Sequence, residues 1–261
     1  MNIATDSRIS WTSGTSVSHY WDQGKKIFAS KTAPLVVAYV DDVLFPTLVL
    51  PGLIDRIDRQ VFRSDGAAVD GVLSVLRHGW RSYPAAERRP VTFYVGYRTG
   101  EGMTAVFRLV QLSVDESGDW EVSDQPIPNQ SACLKVDGSG RSAITIALDS
   151  WQLSSAANTS RAVFSGFVDA VVSGVDPKSG GAPQLGSLYR VGPGRLLGIV
   201  HNEERYFAGA RLIGDEEVEH VEWRNSLFER TDGRRKSRLP HAQAQPRPEE
   251  MKKAPPQETV S

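Results

Sequence analysis

Apolar and polar positions change period several times along the chain, and each change marks an element. Asn2 to Ile9 reads as a short strand and its exit, and the Ser-, Thr- and Gly-rich run Ser10 to Gly24 as an ordered loop or hairpin. Lys26 to Ser30 and Pro34 to Val40 read as strands, the second a continuous apolar run of the kind buried on both faces. Leu50, Leu53, Ile54, Ile57 and Val61 then share one helix face, with Asp55, Asp58 and Arg59 opposite. Pro51 predicts a helix restart or a first-turn position, since proline inside a helix removes a hydrogen bond. After Ser64-Asp65-Gly66, a second stripe is formed by Val69, Val72, Leu73, Leu76 and Trp80.

The middle of the chain alternates with the period of strands. Val91 to Tyr97, Met103 to Val114, Trp120 to Ile127 and Ala132 to Val136 are the candidates, with Arg98 to Gly102 as a hairpin turn. A second helix pair follows, carried by the stripe Ala143, Ile144, Ala147, Leu148 and Trp151 and by the stripe Val163, Phe164, Phe167, Val168, Val171 and Val172. Gln184 to Val191, Arg195 to Val200 and Arg205 to Ala210 close the domain as strands. From Glu229 on, Pro, Gln, Arg, Lys and Glu dominate, which predicts a domain over 1–228 and a disordered tail over 229–261. The order strands, helix pair, strands, helix pair, strands fits an α+β protein. Two antiparallel sheets, each covered by a helical layer, give a four-layer α-β-β-α sandwich.

Composition narrows the chemistry. A formal net charge of −1 gives no electrostatic case for nucleic acid or an anionic membrane as partner. A single cysteine, Cys133, excludes an intramolecular disulfide and a cysteine metal cluster. The histidines, His19, His78, His201, His220 and His241, lack metal-ligand spacing, so neither a cofactor nor a metal is expected. No signal pattern or membrane-length apolar run is present, and a cytoplasmic protein is the expectation. Gly192-Pro193-Gly194 reads as a hairpin turn, and Arg234, Arg235, Lys236 and Arg238 as solvated charge.

Three distant pieces carry the candidate chemistry: Ala4-Thr5-Asp6-Ser7-Arg8 with Gly24-Lys25-Lys26-Ile27, then Gly138-Ser139-Gly140, then Asp176-Pro177-Lys178-Ser179-Gly180-Gly181. Each has an ordinary structural reading. Asp6 and Arg8 make a strand-end ion pair, Lys25 and Lys26 a solvated pair, Ser139 a helix N-cap, and Asp176 to Gly181 a helix exit. As an ordered set they resemble the proteasome-type N-terminal nucleophile (Ntn) hydrolases, the proteasome β-subunits and their bacterial relatives. The resemblance covers Asn2 to Leu212.

The resemblance implies the same four-layer fold, a peptide or protein substrate, and a homo-oligomer. It also implies threonine-type peptidase chemistry, in which an N-terminal hydroxyl residue attacks and its own amine takes the proton. Lys26 then takes the place of the lysine that lowers the hydroxyl pKa, and Asp6 that of its partner. Ser139, Asp176 and Ser179 take the places that hydrogen-bond the amine. The chain departs from the pattern at two points. Only five residues precede Asp6, so the first strand is expected to be shortened, and Met1 and Asn2 are not nucleophiles. Asp41 stands where the family places oxyanion-binding glycine, and a carboxylate there opposes developing negative charge. Two functions follow: an Ntn peptidase whose nucleophile lies ahead of Met1, or a non-catalytic assembly or interaction subunit.

Overall fold

A computed structural model describes residues 1–14, 16–61, 68–218 and 220–248. The mixed α/β architecture places four α-helices and two large sheets among these residues. The first sheet is antiparallel, in the order β4 (Ile27–Ala29), β5 (Leu35–Asp41), β6 (Val91–Thr99), β7 (Val106–Val114) and β8 (Trp120–Gln125). The second runs β1 (Asn2–Thr5), β9 (Gln184–Ser187), β10 (Arg195–His201), β11 (Glu204–Phe207) and β12 (Ala210–Arg211), with β13 (Trp223–Asn225) parallel to β10 and β14 (Arg230–Thr231) on β13. Between β1 and β4, β2 (Ile9–Ser13) and β3 (Ser16–Trp21) form a separate hairpin.

The apolar run of β5 divides by parity between two cores. Leu35, Val37 and Tyr39 join Phe45, Leu50 and Leu53 of α1 (Leu44–Asp58) and Val72, Leu76 and Trp80 of α2 (Ala68–Ser82). Val36 and Ala38 point the other way and meet Ile27 and Leu188, with Met1, Ile3 and Phe107 against them. A third cluster packs Phe164 and Val168 of α4 (Ser160–Val172) on Leu185, Leu197 and Ile199. Beside α4 lies α3 (Arg141–Gln152), where Trp151 is fully buried and its indole N–H donates to Asp169 at 2.7 Å.

Several sequence expectations change. Pro51 lies inside one continuous α1 and starts no new helix, because buried Leu50 and Leu53 hold the turns on both sides of it against the sheet. The turn at 64–66 lies outside the described residues. Ala132 to Val136 forms no strand. The tail boundary at 229 falls inside packed structure. Glu229, Thr231 and Gln245 are buried, and Gln245 Nε2 donates to Ser165 Oγ at 2.7 Å. Arg247 pairs with Asp169 at 2.5 Å. Polar pairing to α4, which an apolar count does not register, holds this segment in place. Residues 249–261 lie outside the described residues.

Candidate functional site

Asp6 follows directly on β1 and joins the first piece to the third. Its Oδ1 accepts from Lys26 Nζ at 2.7 Å, and the two side chains are only 14% and 15% exposed. Its Oδ2 accepts from the main-chain N–H of Arg8 at 3.1 Å and of Gly180 at 3.0 Å. Asp6 therefore does not pair with the Arg8 guanidinium. That group turns to Asp22 at 2.7 and 2.9 Å and lies 3.9 Å from the centre of the Tyr20 ring, which fastens the hairpin to the site.

The second and third pieces form a hydroxyl–carboxylate cluster. Ser139 Oγ and Ser179 Oγ each donate to Asp176 Oδ2 at 2.6 Å, and Lys178 N–H donates to Oδ1 at 3.1 Å. Burial works against ionisation of Asp176, but both hydroxyls, the amide and the charge of Lys178 together hold the carboxyl below its ordinary range. Ser139 spends its hydroxyl here and not on a helix cap, and α3 begins without a side-chain cap. Asp176 to Gly181 is not the helix exit either, since α4 ends at Val172 with Ser173 as its C-cap and Gly174 takes the positive φ of 64°. The turn instead carries Asp176 and, through Gly180 N–H, reaches Asp6.

Two glycines make that approach possible. A Cβ on Gly180 would fall on the Arg8 guanidinium. Gly181 has φ +70° and lies against Ser7 Oγ and Asp22.

All five predicted residues, Asp6, Lys26, Ser139, Asp176 and Ser179, are thus brought into one bonded region. Gln184 completes it and was not foreseen. Its Nε2 donates to Asp6 O at 2.9 Å and Gly24 O at 2.8 Å, and its Oε1 accepts from Lys26 N–H at 3.1 Å. It is 3% exposed on β9, opposite Thr5. Nothing in its run, Gln184-Leu185-Gly186-Ser187, signals that role.

The site opens on a cleft of about 670 Å³ lined by Met1 to Asp6, Lys26, Ser139 and Ser179. Its rim holds a second cluster, in which Tyr94 Oη donates to Asp137 Oδ2 and Arg141 to Asp137 Oδ1, each at 2.5 Å. Asp41, with φ +78°, also faces the cleft. Burial, and then the neighbouring Asp137 charge, push its carboxyl above the ordinary range, with Arg141 opposing. Thr5 Oγ1 is buried without a hydrogen-bond partner among the described residues. Among the described residues, no group of three or more His, Cys, Asp and Glu could hold a metal, and no helix is long and apolar enough to cross a membrane.

No family model and no curated protein matches the chain. Among solved structures, it is similar to eukaryotic HslV from Trypanosoma brucei, at 14% identity over 70% of this chain and 90% of that one, with a TM-score of 0.41. It is also similar to Anbu (ancestral beta-subunit) from Yersinia bercovieri, at 12% identity over 70% of this chain and 75% of that one, with a TM-score of 0.42.

Proposed function

We propose that the chain has the four-layer Ntn-hydrolase architecture and carries the supporting half of an amide-hydrolysing centre. One observation carries this reading: Lys26 Nζ is fixed on Asp6 Oδ1 at 2.7 Å beside a peptide-sized cleft, and Asp6 is bonded to the turn that presents Ser179 and Asp176. An ammonium in that position stabilises a developing alkoxide, and a carboxylate holding two hydroxyls can hold an amine next to it. Hydrolysis would run by attack of a hydroxyl on the amide carbon, with its proton passing to that amine. C–N cleavage then returns the proton to the leaving nitrogen, and water releases the ester.

Among the described residues no hydroxyl or thiol carries a free amine of its own to serve as this nucleophile. Thr5 and Ser7 are internal, and the Met1 amine donates to Leu188 O at 2.9 Å. The 261-residue polypeptide is therefore expected to show no turnover of fluorogenic peptide amides. Where the reading frame continues ahead of Met1 with a strand headed by Thr, Ser or Cys, the extended chain should turn them over. Lys26→Ala in that protein should lower kcat about a hundredfold or more. Turnover by residues 1–261 that survives Lys26→Ala would remove this site from the chemistry. Asp41 in the cleft favours a second reading, a non-catalytic Ntn-fold subunit, because its carboxylate opposes an oxyanion. An extended chain that remains inactive would decide for it.

A further inference from the structure

The two residues of the central ion pair come from different sheets. Asp6 follows β1 of the second sheet, and Lys26 precedes β4 of the first. A shift of one sheet against the other therefore moves the ammonium off the carboxylate. Uncharged hydrogen bonds also join the sheets at this point. One runs from Gly24 N–H to Ser7 O at 2.8 Å. Three more belong to the side chain of Gln184, which stands on β9 of the second sheet. It reaches Asp6 O at 2.9 Å, Gly24 O at 2.8 Å and the main-chain N–H of Lys26 at 3.1 Å.

The chemistry of that position selects a primary amide. Two carbonyl oxygens call for two N–H donors, and the Lys26 N–H calls for an acceptor; the glutamine amide supplies all of them in one plane. The reversed amide would set its oxygen against both carbonyls, so the network fixes the orientation. Asparagine ends a methylene short, and glutamate would present a carboxylate to the carbonyl oxygens. Solvent is kept away as well. Gln184 is 3% exposed, and the turn between β11 and β12 closes on it. A Cβ on Gly209, φ +86°, would lie 2.5 Å from Gly24 O and 3.2 Å from Gln184 Cδ. Buried polar groups are satisfied by partners within the protein, and here those partners are the main chain on both sides of the ion pair.

We propose that Gln184 is a positioning residue of the candidate site, an amide clamp between the two sheets that fixes where the Lys26 ammonium stands relative to Asp6. All of its bonds end on main-chain atoms, so it acts through Asp6 and Lys26 and not on a substrate. Its loss leaves both charges present and frees their geometry. The bonds of Ser139 and Ser179 to Asp176 do not involve it, which confines the effect to the Lys26 half of the site. This role rests on the reading of Lys26 as the ammonium that stabilises a developing alkoxide. Misplacing such a group by about 1 Å can cost about a hundredfold in rate.

The test uses the full chain and solution NMR. In the unaltered protein a scalar coupling across the hydrogen bond should connect Lys26 Nζ with the Asp6 carboxyl carbon. The Gln184 Nε2 protons should exchange with water about tenfold or more slower than those of exposed Gln23 and Gln243. Gln184→Met, which keeps the volume and removes all of the bonds, should abolish the coupling and speed exchange of the Lys26 ammonium protons about tenfold or more. Gln245→Met removes a buried glutamine outside the site and should lower stability while leaving the coupling unchanged. In an extended chain that turns over peptide amides, Gln184→Met should lower kcat about tenfold or more and hold KM within about twofold. A coupling that survives Gln184→Met, or one that Gln245→Met abolishes as well, overturns the proposal. So does fast exchange of the Gln184 Nε2 protons in the unaltered chain, which decides even if Gln184→Met fails to fold. An active extended chain whose kcat is indifferent to Gln184→Met overturns it and leaves the hydrolytic reading intact. Absence of the coupling in the unaltered chain overturns both. An inactive extended chain counts only against the hydrolytic reading, since the coupling is measured without turnover.

Discussion

At the scale of residues, the Asp6–Lys26 pair sets the energetics of the site. Removing one partner of a sheltered pair leaves a charge without compensation, a loss of several kcal/mol when burial is complete and less when it is partial. Lys26→Met should therefore destabilise the fold by about 2 kcal/mol. Asp6→Asn should cost less, because an amide oxygen can still accept from the N–H groups of Arg8 and Gly180. The double variant should recover part of the sum, and a double-mutant cycle in urea measures the coupling. Strict additivity would mean that the pair is held by its surroundings and not by each other. The residues of this site were legible in the sequence because acids, hydroxyls and glycines cluster in short runs. The individual bonds were not: sequence grouped Ser139 with Asp176 and Ser179 only through the resemblance and left a helix cap as the ordinary alternative, and the hydroxyl of Ser139 goes to Asp176. The ordinary alternative for Arg8, a pair with Asp6, misses Asp22, which approaches it only when the hairpin folds back.

At the scale of elements, periodicity located the helices and central strands to within a few residues, since each buries a stripe or a face. It failed where tertiary contact decides. Ala132 to Val136 has strand composition but no ladder partner, and a strand exists only when paired. Pro51 was read as a boundary on a local rule, and packing of Leu50 and Leu53 overrides it. That override has a measurable cost. Pro51 denies Thr47 O an amide donor, and its side chain is exposed, so little packing depends on it. Pro51→Ala should therefore stabilise the protein by about 1–2 kcal/mol, less than the ~3 kcal/mol interior penalty because the variant also frees the unfolded chain. Chemical denaturation measures the change, and a loss of stability would show that α1 depends on proline at this position.

At the scale of the whole molecule, the segment after β13 ties the second sheet to α4. Gln245 N–H donates to Glu229 Oε1 at 2.7 Å, its side chain reaches Ser165, and Arg161 Nη2 donates to Gln243 O at 2.7 Å. Arg247 closes on Asp169, the carboxylate that also holds the Trp151 indole. A chain ending at 228, where composition alone sets the boundary, would leave Ser165 buried without this partner, Asp169 without its cation and β13 without β14. Each buried polar group so exposed costs about 1–3 kcal/mol, so the total loss should be about 3 kcal/mol or more. At this chain length that lowers Tm by about 6–12 °C. A chain ending at 248 keeps all of these contacts and should melt with the full-length protein. Equal melting of the 228 and 248 forms would mean that the segment rests on the surface and contributes nothing. Lower melting of the 228 form, with Arg247→Ala reproducing only part of the drop, would place the domain boundary beyond 247. That boundary bears on the cleft, because α4, which the segment braces through Arg161, Ser165 and Asp169, supplies Phe164 and Phe167 to the cleft wall.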